Sequence, residues 1–162
     1  MKTTIRVAAS GDAAAVHLLL RGLAEYEGAE EVLEVTTDVL RDQMARQEPP
    51  FECLHAERHG RPVGLGLFYP YYSTWEGRPG IHLAAIFVVE DERRNGVGTA
   101  LFERLAAIAL EREGGGALEF AALNWNDAAS TFFNRLGARA TADSTLYRIA
   151  GEALEKLAES ET

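Results

Sequence analysis

The segment from Ile81 to Val89 constrains this chain most, because it is apolar almost without a break. A strand wet on one face alternates apolar and polar side chains, whereas such a run fits a central strand covered on both faces. The fold must therefore supply packing layers around a sheet. The residues before the run read as the elements required. Thr4 to Ala8 is a short first strand. Ser10 can cap a helix in which Val16, Leu19, Leu20 and Leu23 fall at i, i+3, i+4 and i+7, ending near Tyr26. Thr36 or Thr37 can cap a second helix reaching about Arg46, stopped by Pro49-Pro50. Phe51 to Arg58 and Val63 to Tyr72 read as strands joined by the turn His59-Gly60-Arg61-Pro62, and Ser73 to Gly80 reads as a loop.

Beyond the run, Leu101, Leu105 and Ile108 place a helix between Gly98 and Glu113, ended by Gly114-Gly115-Gly116. Leu118 to Leu123 is a further strand. After Asn124-Trp125-Asn126-Asp127 comes a helix with Ala129, Phe132, Phe133 and Leu136 on one face and Gly137 as its stop. Short strands near Arg139 to Ala142 and Leu146 to Ala150, then a charged helix from Gly151, complete the reading. The order βααβββαβαβ is a mixed α/β domain built around one sheet, not the regular alternation of a Rossmann domain. At 162 residues, with no repeat or linker, the expectation is one domain spanning 1–162.

Composition narrows the functions. A formal net charge of −9 argues against a basic groove for nucleic acid. An acidic surface attracts cationic amines, and it also serves solubility alone. No apolar run approaches the roughly 20 residues of a membrane span, and the first residues lack the apolar stretch of a secretory signal. The single cysteine, Cys53, cannot form an internal disulfide. Together these point to the cytoplasm.

The chemistry is concentrated after the apolar run. Ile86-Phe87-Val88-Val89 leads through Glu90-Asp91-Glu92 into Arg93-Arg94-Asn95-Gly96-Val97-Gly98-Thr99 and a long helix. Glycines let the backbone take positive φ and approach a ligand. A helix's first turn presents unpaired N–H groups and a partial positive charge, and a pyrophosphate satisfies both. Arg93 and Arg94 add charge and Thr99 a hydroxyl. A plain glycine turn is the simpler explanation of any one Gly-x-Gly, but it leaves both arginines unexplained. No Gly-Lys-Ser/Thr follows, so this is no Walker loop. Leu101 stands where the dinucleotide fingerprint needs its third glycine.

Arg93-Arg94-Asn95-Gly96-Val97-Gly98 resembles the Arg/Gln-x-x-Gly-x-Gly/Ala signature of the GNAT acetyltransferases. The resemblance covers nearly the whole chain. Leu23-Ala24-Glu25-Tyr26-Glu27, the loop around Trp75-Glu76-Gly77, and the segment Trp125 to Ala138 are similar to the diamine (spermidine/spermine or thialysine) N-acetyltransferases. The resemblance implies a mixed central sheet, open in a V after its fourth strand and flanked by helices on both faces. It implies acetyl-CoA as co-substrate, transfer to a primary amine by direct attack, a homodimer and no metal. Cofactor contacts are then expected at Ile86, Phe87, Val88, Arg93, Arg94, Asn95, Gly96, Val97, Gly98, Thr99, Asn126, Ala129 and Phe133. The backbone N–H of Phe87 is the expected oxyanion donor. Tyr26, Glu27, Trp75 and Ala84 are the expected substrate contacts.

Two departures stand out. The diamine enzymes carry a Glu-Asp pair where this chain has Ala84-Ala85, and a tyrosine acid where it has Phe133, whose ring has no proton to give. Phe133 also fits as core on its helix, and Tyr147 is a remote substitute acid. Losing one general acid or base costs about 10²–10⁴ in rate, which need not abolish transfer. Two readings stay open: an enzyme acetylating a diamine, polyamine or amino-acid side chain, and a non-catalytic acyl-CoA-binding module. A protein N-terminal acetyltransferase is a third.

Other residues have plain readings. Tyr26 and Glu27, with Glu30 and Glu31, are either an amine-recognising rim or an ordinary acidic loop. Trp75 either covers an entrance or packs on core or a subunit interface. Asn126 is expected to cap the helix that follows it. Asn124 and Trp125 can border the cofactor. His55 and His59 stand four apart, but on a strand and turn that do not suit zinc. His17 and His82 have no metal-like partners.

Overall fold

Five strands form one sheet in the order β1-β2-β3-β4-β5. They are β1 (Thr4–Val7), β2 (Glu52–Arg58), β3 (Arg61–Ser73), β4 (Arg78–Val88) and β5 (Leu118–Phe120). The first four pair antiparallel, and β4 pairs with β5 parallel. The helices are α1 (Ala13–Glu27), α2 (Thr37–Met44), α3 (Val97–Glu111), α4 (Asp127–Arg135) and α5 (Glu152–Glu159). The structure, a computed structural model, describes residues 3–112, 116–141 and 145–159. By its contacts the chain divides into two compact units, 1–121 and 122–162.

In the first unit the apolar run becomes β4, with a helix on each side, as its sequence requires. Alternation along β3 explains both layers. Leu65 joins Ala13, Val16, Leu19, Leu20 and Leu40 in the core under α1 and α2, with Phe87 from β4. Gly64 and Gly66 face the other way. A Cβ on Gly64 would meet Val97 and Leu101, and one on Gly66 would meet Leu105, so the two glycines let α3 lie close on that face. Gly22 does the same for α1, since its Cβ would come within 2.7 Å of the Phe87 ring.

Several boundaries differ from the sequence reading. Ser10 lies in a short 3-10 turn, and Asp12 precedes α1, because its carboxylate is already bonded to the Ala9 N–H. The loop expected over 73–80 contracts to a four-residue turn, with Ser73 opposite Arg78 and Tyr72 opposite Pro79. Gly77, at φ 66°, closes it and donates to the Ser73 carbonyl. The strand expected over 118–123 keeps only three residues. His59 and Gly60 both take positive φ, the geometry of a two-residue hairpin turn.

In the second unit, α4 begins as expected, with the Asn126 side chain accepting from the Ala129 N–H at 3.1 Å. Gly137 follows it at φ 88°, and Phe133 is its buried residue. The strands expected near 139–142 and 146–150 are absent from the described residues there. Leu146 and Tyr147 are exposed, so no burial rewards an extended pairing. Ala142 lies outside the described residues, as do Glu113, Gly114 and Gly115 of the expected helix stop. Among the described residues, no helix is long and apolar enough to cross a membrane.

Candidate active site

The feature that organises the site is the parting of two strands. β5 pairs with β4 only at Ile81, His82 and Leu83. Beyond Leu83, the β5 edge of β4 has no strand partner among the described residues. A bulge sits at the same place: Leu67 pairs with Ala85 and Phe68 with Leu83, leaving Ala84 extra and exposed. The bulge keeps one edge in use. The Ile81 N–H points to β5, donating to the Ala117 carbonyl at 3.0 Å. The Val89 N–H points the opposite way, to the Val63 carbonyl at 3.0 Å. Alternation then directs the Phe87 N–H toward Leu65 on β3, and those of Ile86 and Val88 toward the unpaired edge.

This corrects the oxyanion donor expected at Phe87. Its N–H belongs to the sheet ladder and its ring to the core, 9% exposed. The amides in position to meet a ligand on that edge are those of Ile86 and Val88.

The turn before α3 is the second part. Arg94 has φ 61° and Gly96 φ 82°, and Gly96 caps the helix without a side chain. The helical ladder starts with the Ala100 N–H donating to the Gly96 carbonyl. The N–H groups of Val97, Gly98 and Thr99 are therefore the helix's orphan donors, able to hold an anion. Arg94 and Thr99 are exposed beside them. Arg93 differs from Arg94. Its Nε donates to the Val88 carbonyl at 2.9 Å, and its guanidinium lies 4.6 Å from the Tyr26 ring centre and 5.7 Å from that of Phe87. It ties the end of α1 to the end of β4.

The expected substrate residues are scattered. Tyr26 is in this cluster, and Glu27 is half-buried at the last residue of α1. Ala84 is at the bulge. Trp75 is 98% exposed at the tip of the β3–β4 hairpin, so it does not pack on this chain's core. Asn126, Ala129 and Phe133 lie in the second unit, with Phe133 8% exposed and its ring 5.7 Å from that of Phe132.

Other polar clusters have structural partners. Arg6 donates to Asp12 at 2.7 and 2.8 Å and to Glu57 at 2.7 Å, with His55 Nδ1 at 3.3 Å. Asp12, His55 and Glu57 are spaced as metal ligands are, but the cation among them is the Arg6 guanidinium. Hydrogen bonding to Arg6 holds the Asp12 carboxyl down at about 2, and burial lowers the His55 pKa. Burial pushes the Cys53 thiol up to about 12, which leaves it an unreactive core residue. An open cavity of about 430 Å³ is lined by His17, Arg21, Glu25, Glu30 and Glu34. It follows a different stripe of α1 from Gly22 and Tyr26, and His17 faces the Val35 carbonyl at 3.0 Å.

Sequence reasoning missed Arg58, which is 6% exposed and bonded to the Asn95 carbonyl at 2.7 Å. The available signal was a charged residue at the inward phase of an apolar strand.

Residues 15–138 match the acetyltransferase (GNAT) family. The chain is 34% identical over 165 residues to the thialysine N-epsilon-acetyltransferase of Bos taurus, covering 95% of this chain and 96% of that protein. Among solved structures, an integron cassette protein from the mobile metagenome of V. cholerae aligns with TM-score 0.79 and 20% identity, covering 98% of this chain and 99% of that one. An aminoglycoside N-acetyltransferase in complex with CoA aligns with TM-score 0.73 and 17% identity, over 91% of this chain and 95% of that one.

Proposed function

The chain belongs to the GNAT acetyltransferase family and is an acetyl-CoA-dependent N-acetyltransferase, and we propose that its acceptor is the side-chain amine of a small amino acid. The observation that carries the reading is the pairing of an unpartnered β4 edge with the amide-rich turn of α3 directly after it. The pyrophosphate of acetyl-CoA binds the N–H groups of Val97, Gly98 and Thr99, with Arg94 alongside. Its pantetheine arm lies along Ile86 and Val88 in place of a strand. One of those two N–H groups polarises the thioester carbonyl as the neutral amine attacks. The nitrogen then loses its proton to solvent, and the CoA thiolate leaves.

Ala84 and Ala85 support an amino-acid acceptor over a polyamine, because neither side chain offers a carboxylate to a second ammonium group. The likeness to a thialysine enzyme over almost the full length supports the same choice. The family match runs across both compact units, which supports one acetyltransferase domain in which Asn126, Ala129 and Phe133 also border the cofactor. Exposed Trp75 and Tyr72 on the β3–β4 hairpin support a homodimer. A cytoplasmic location fits the single buried cysteine.

The test is thiol release from acetyl-CoA by purified protein with lysine, thialysine, ornithine, simple diamines and spermidine. Turnover with the amino acids, and much less with spermidine, is the expected result. Spermidine as the best acceptor would reject the proposed substrate class. No amine-dependent thiol release across the panel would reject the acceptor reading altogether.

A further inference from the structure

Arg58 ends β2 and is buried, an uncommon place for a guanidinium without a task. All three of its nitrogens are engaged. Nε donates to Thr3 Oγ1 at 2.8 Å, Nη1 to Glu92 Oε2 at 2.7 Å and Nη2 to the Asn95 carbonyl at 2.7 Å. Glu92 is also held from the other side by Arg61, at 3.3 Å. Four separated pieces of chain thus meet on or beside one side chain: the start of β1, the end of β2, the start of β3 and the turn before α3.

The bond to Asn95 bears on the cofactor. A trans peptide is planar, with its carbonyl and its N–H pointing in opposite directions. Holding the Asn95 carbonyl against Arg58 turns the Gly96 N–H away from Arg58. The local chain does not choose this orientation by itself, because glycine tolerates the reversed peptide as readily. No side chain caps this helix, and a Cβ at Gly96 would meet nothing within 4 Å, so neither feature fixes the plane.

We propose that Arg58 is a positioning residue for cofactor binding, which locks the Asn95–Gly96 peptide so that the Gly96 N–H joins the first-turn amides of α3 at the pyrophosphate. The inference rests on reading that turn as the pyrophosphate site. Lysine cannot replace it. A lysine ammonium is a point charge that satisfies Glu92, whereas the planar guanidinium fork reaches Glu92 and the Asn95 carbonyl together.

The experiment titrates CoA into wild-type, Arg58→Lys and Arg58→Gln proteins by calorimetry. It also follows the Gly96 amide by ¹⁵N NMR and thermal unfolding by circular dichroism. In the wild type, CoA is expected to shift the Gly96 amide proton downfield. Arg58→Lys is expected to unfold close to the wild-type temperature, to bind CoA about tenfold more weakly, and to lose the Gly96 shift. A general loss of structure would not single out that one amide. Arg58→Lys decides the matter where Arg58→Gln does not fold. An Arg58→Lys protein that does not fold, that binds CoA within about twofold of wild type, or that keeps the Gly96 shift overturns the proposal. So does a wild type that binds CoA with the Gly96 amide unmoved. A wild type that binds no CoA refutes instead the reading of the α3 turn, and the first titration reveals it.

Discussion

The guanidinium of Arg93 lies 4.6 Å from the centre of the Tyr26 ring. Two residues singled out for different ligands, one for cofactor and one for substrate, are in contact with each other. A cation over an aromatic face is worth about 0.5–1 kcal/mol at a partly exposed site. In a double-mutant cycle of Tyr26→Leu and Arg93→Met, urea unfolding should return a coupling of about that size. Arg93→Met alone should cost about 1 kcal/mol more, because the Val88 carbonyl loses its donor as well. A coupling of zero would mean that the contact contributes nothing in solution.

Asp12 and His55 set two pH windows for stability. The folded carboxyl of Asp12 is held at about 2 by its bonds to Arg6, below an unfolded value of about 3.9. Its contribution is therefore complete above pH ~4 and lost as pH falls toward 2, an amount on the order of 1–2 kcal/mol. Asp12→Asn should flatten the unfolding free energy across that window.

His55 acts at higher pH with its own sign. Burial lowers its folded pKa, so the unfolded chain binds the proton first and stability falls as pH drops below about 6.5. His55→Gln should remove that slope, as read by denaturant melts between pH 5 and about 7.5.

Gly64 is fixed by space. A Cβ there would stand 3.0 Å from the Phe87 carbonyl oxygen and 3.3 Å from both Leu101 and Val97. The carbonyl is held in the β3–β4 ladder and the side chains in the α3 interface, so neither yields cheaply. Gly64→Ala should destabilise by about 1–3 kcal/mol in equilibrium unfolding. It should also weaken CoA binding, because α3 carries the turn proposed to hold it.

Phe133→Tyr tests whether that position serves the departing thiolate. It restores the phenol of the diamine acetyltransferases, and kcat should rise by roughly tenfold with a new limb in the pH–rate profile. An unchanged kcat and an unchanged profile would assign Phe133 to packing alone.

Much of this was legible in the chain because it rests on local rules. The apolar run of β4, the caps at Thr36 and Asn126, and the glycine turn before α3 each follow from residues close in sequence. What escaped depends on distant partners. The Phe87 amide was misassigned because the bulge at Ala84 is created by pairing with β3, and nothing in Ala84-Ala85 announces it. Arg58 escaped because its worth comes from Thr3, Glu92 and Asn95, which only the folded sheet brings to it. The late strands were overcalled because a hydrophobic pattern promises burial that Leu146 and Tyr147 do not receive.

The extra residue in β4 has a consequence for how this protein can vary. Leu83 and Ile86 both point at Gly66, although an odd number of residues separates them, and only the bulge permits that. Deleting Ala84 would invert every later position of the strand. The Phe87 ring would swing out of the core, and its N–H and that of Val89 would replace those of Ile86 and Val88 at the unpaired edge. Lineages of this protein are therefore free to exchange side chains along the strand, but not to change its length by one.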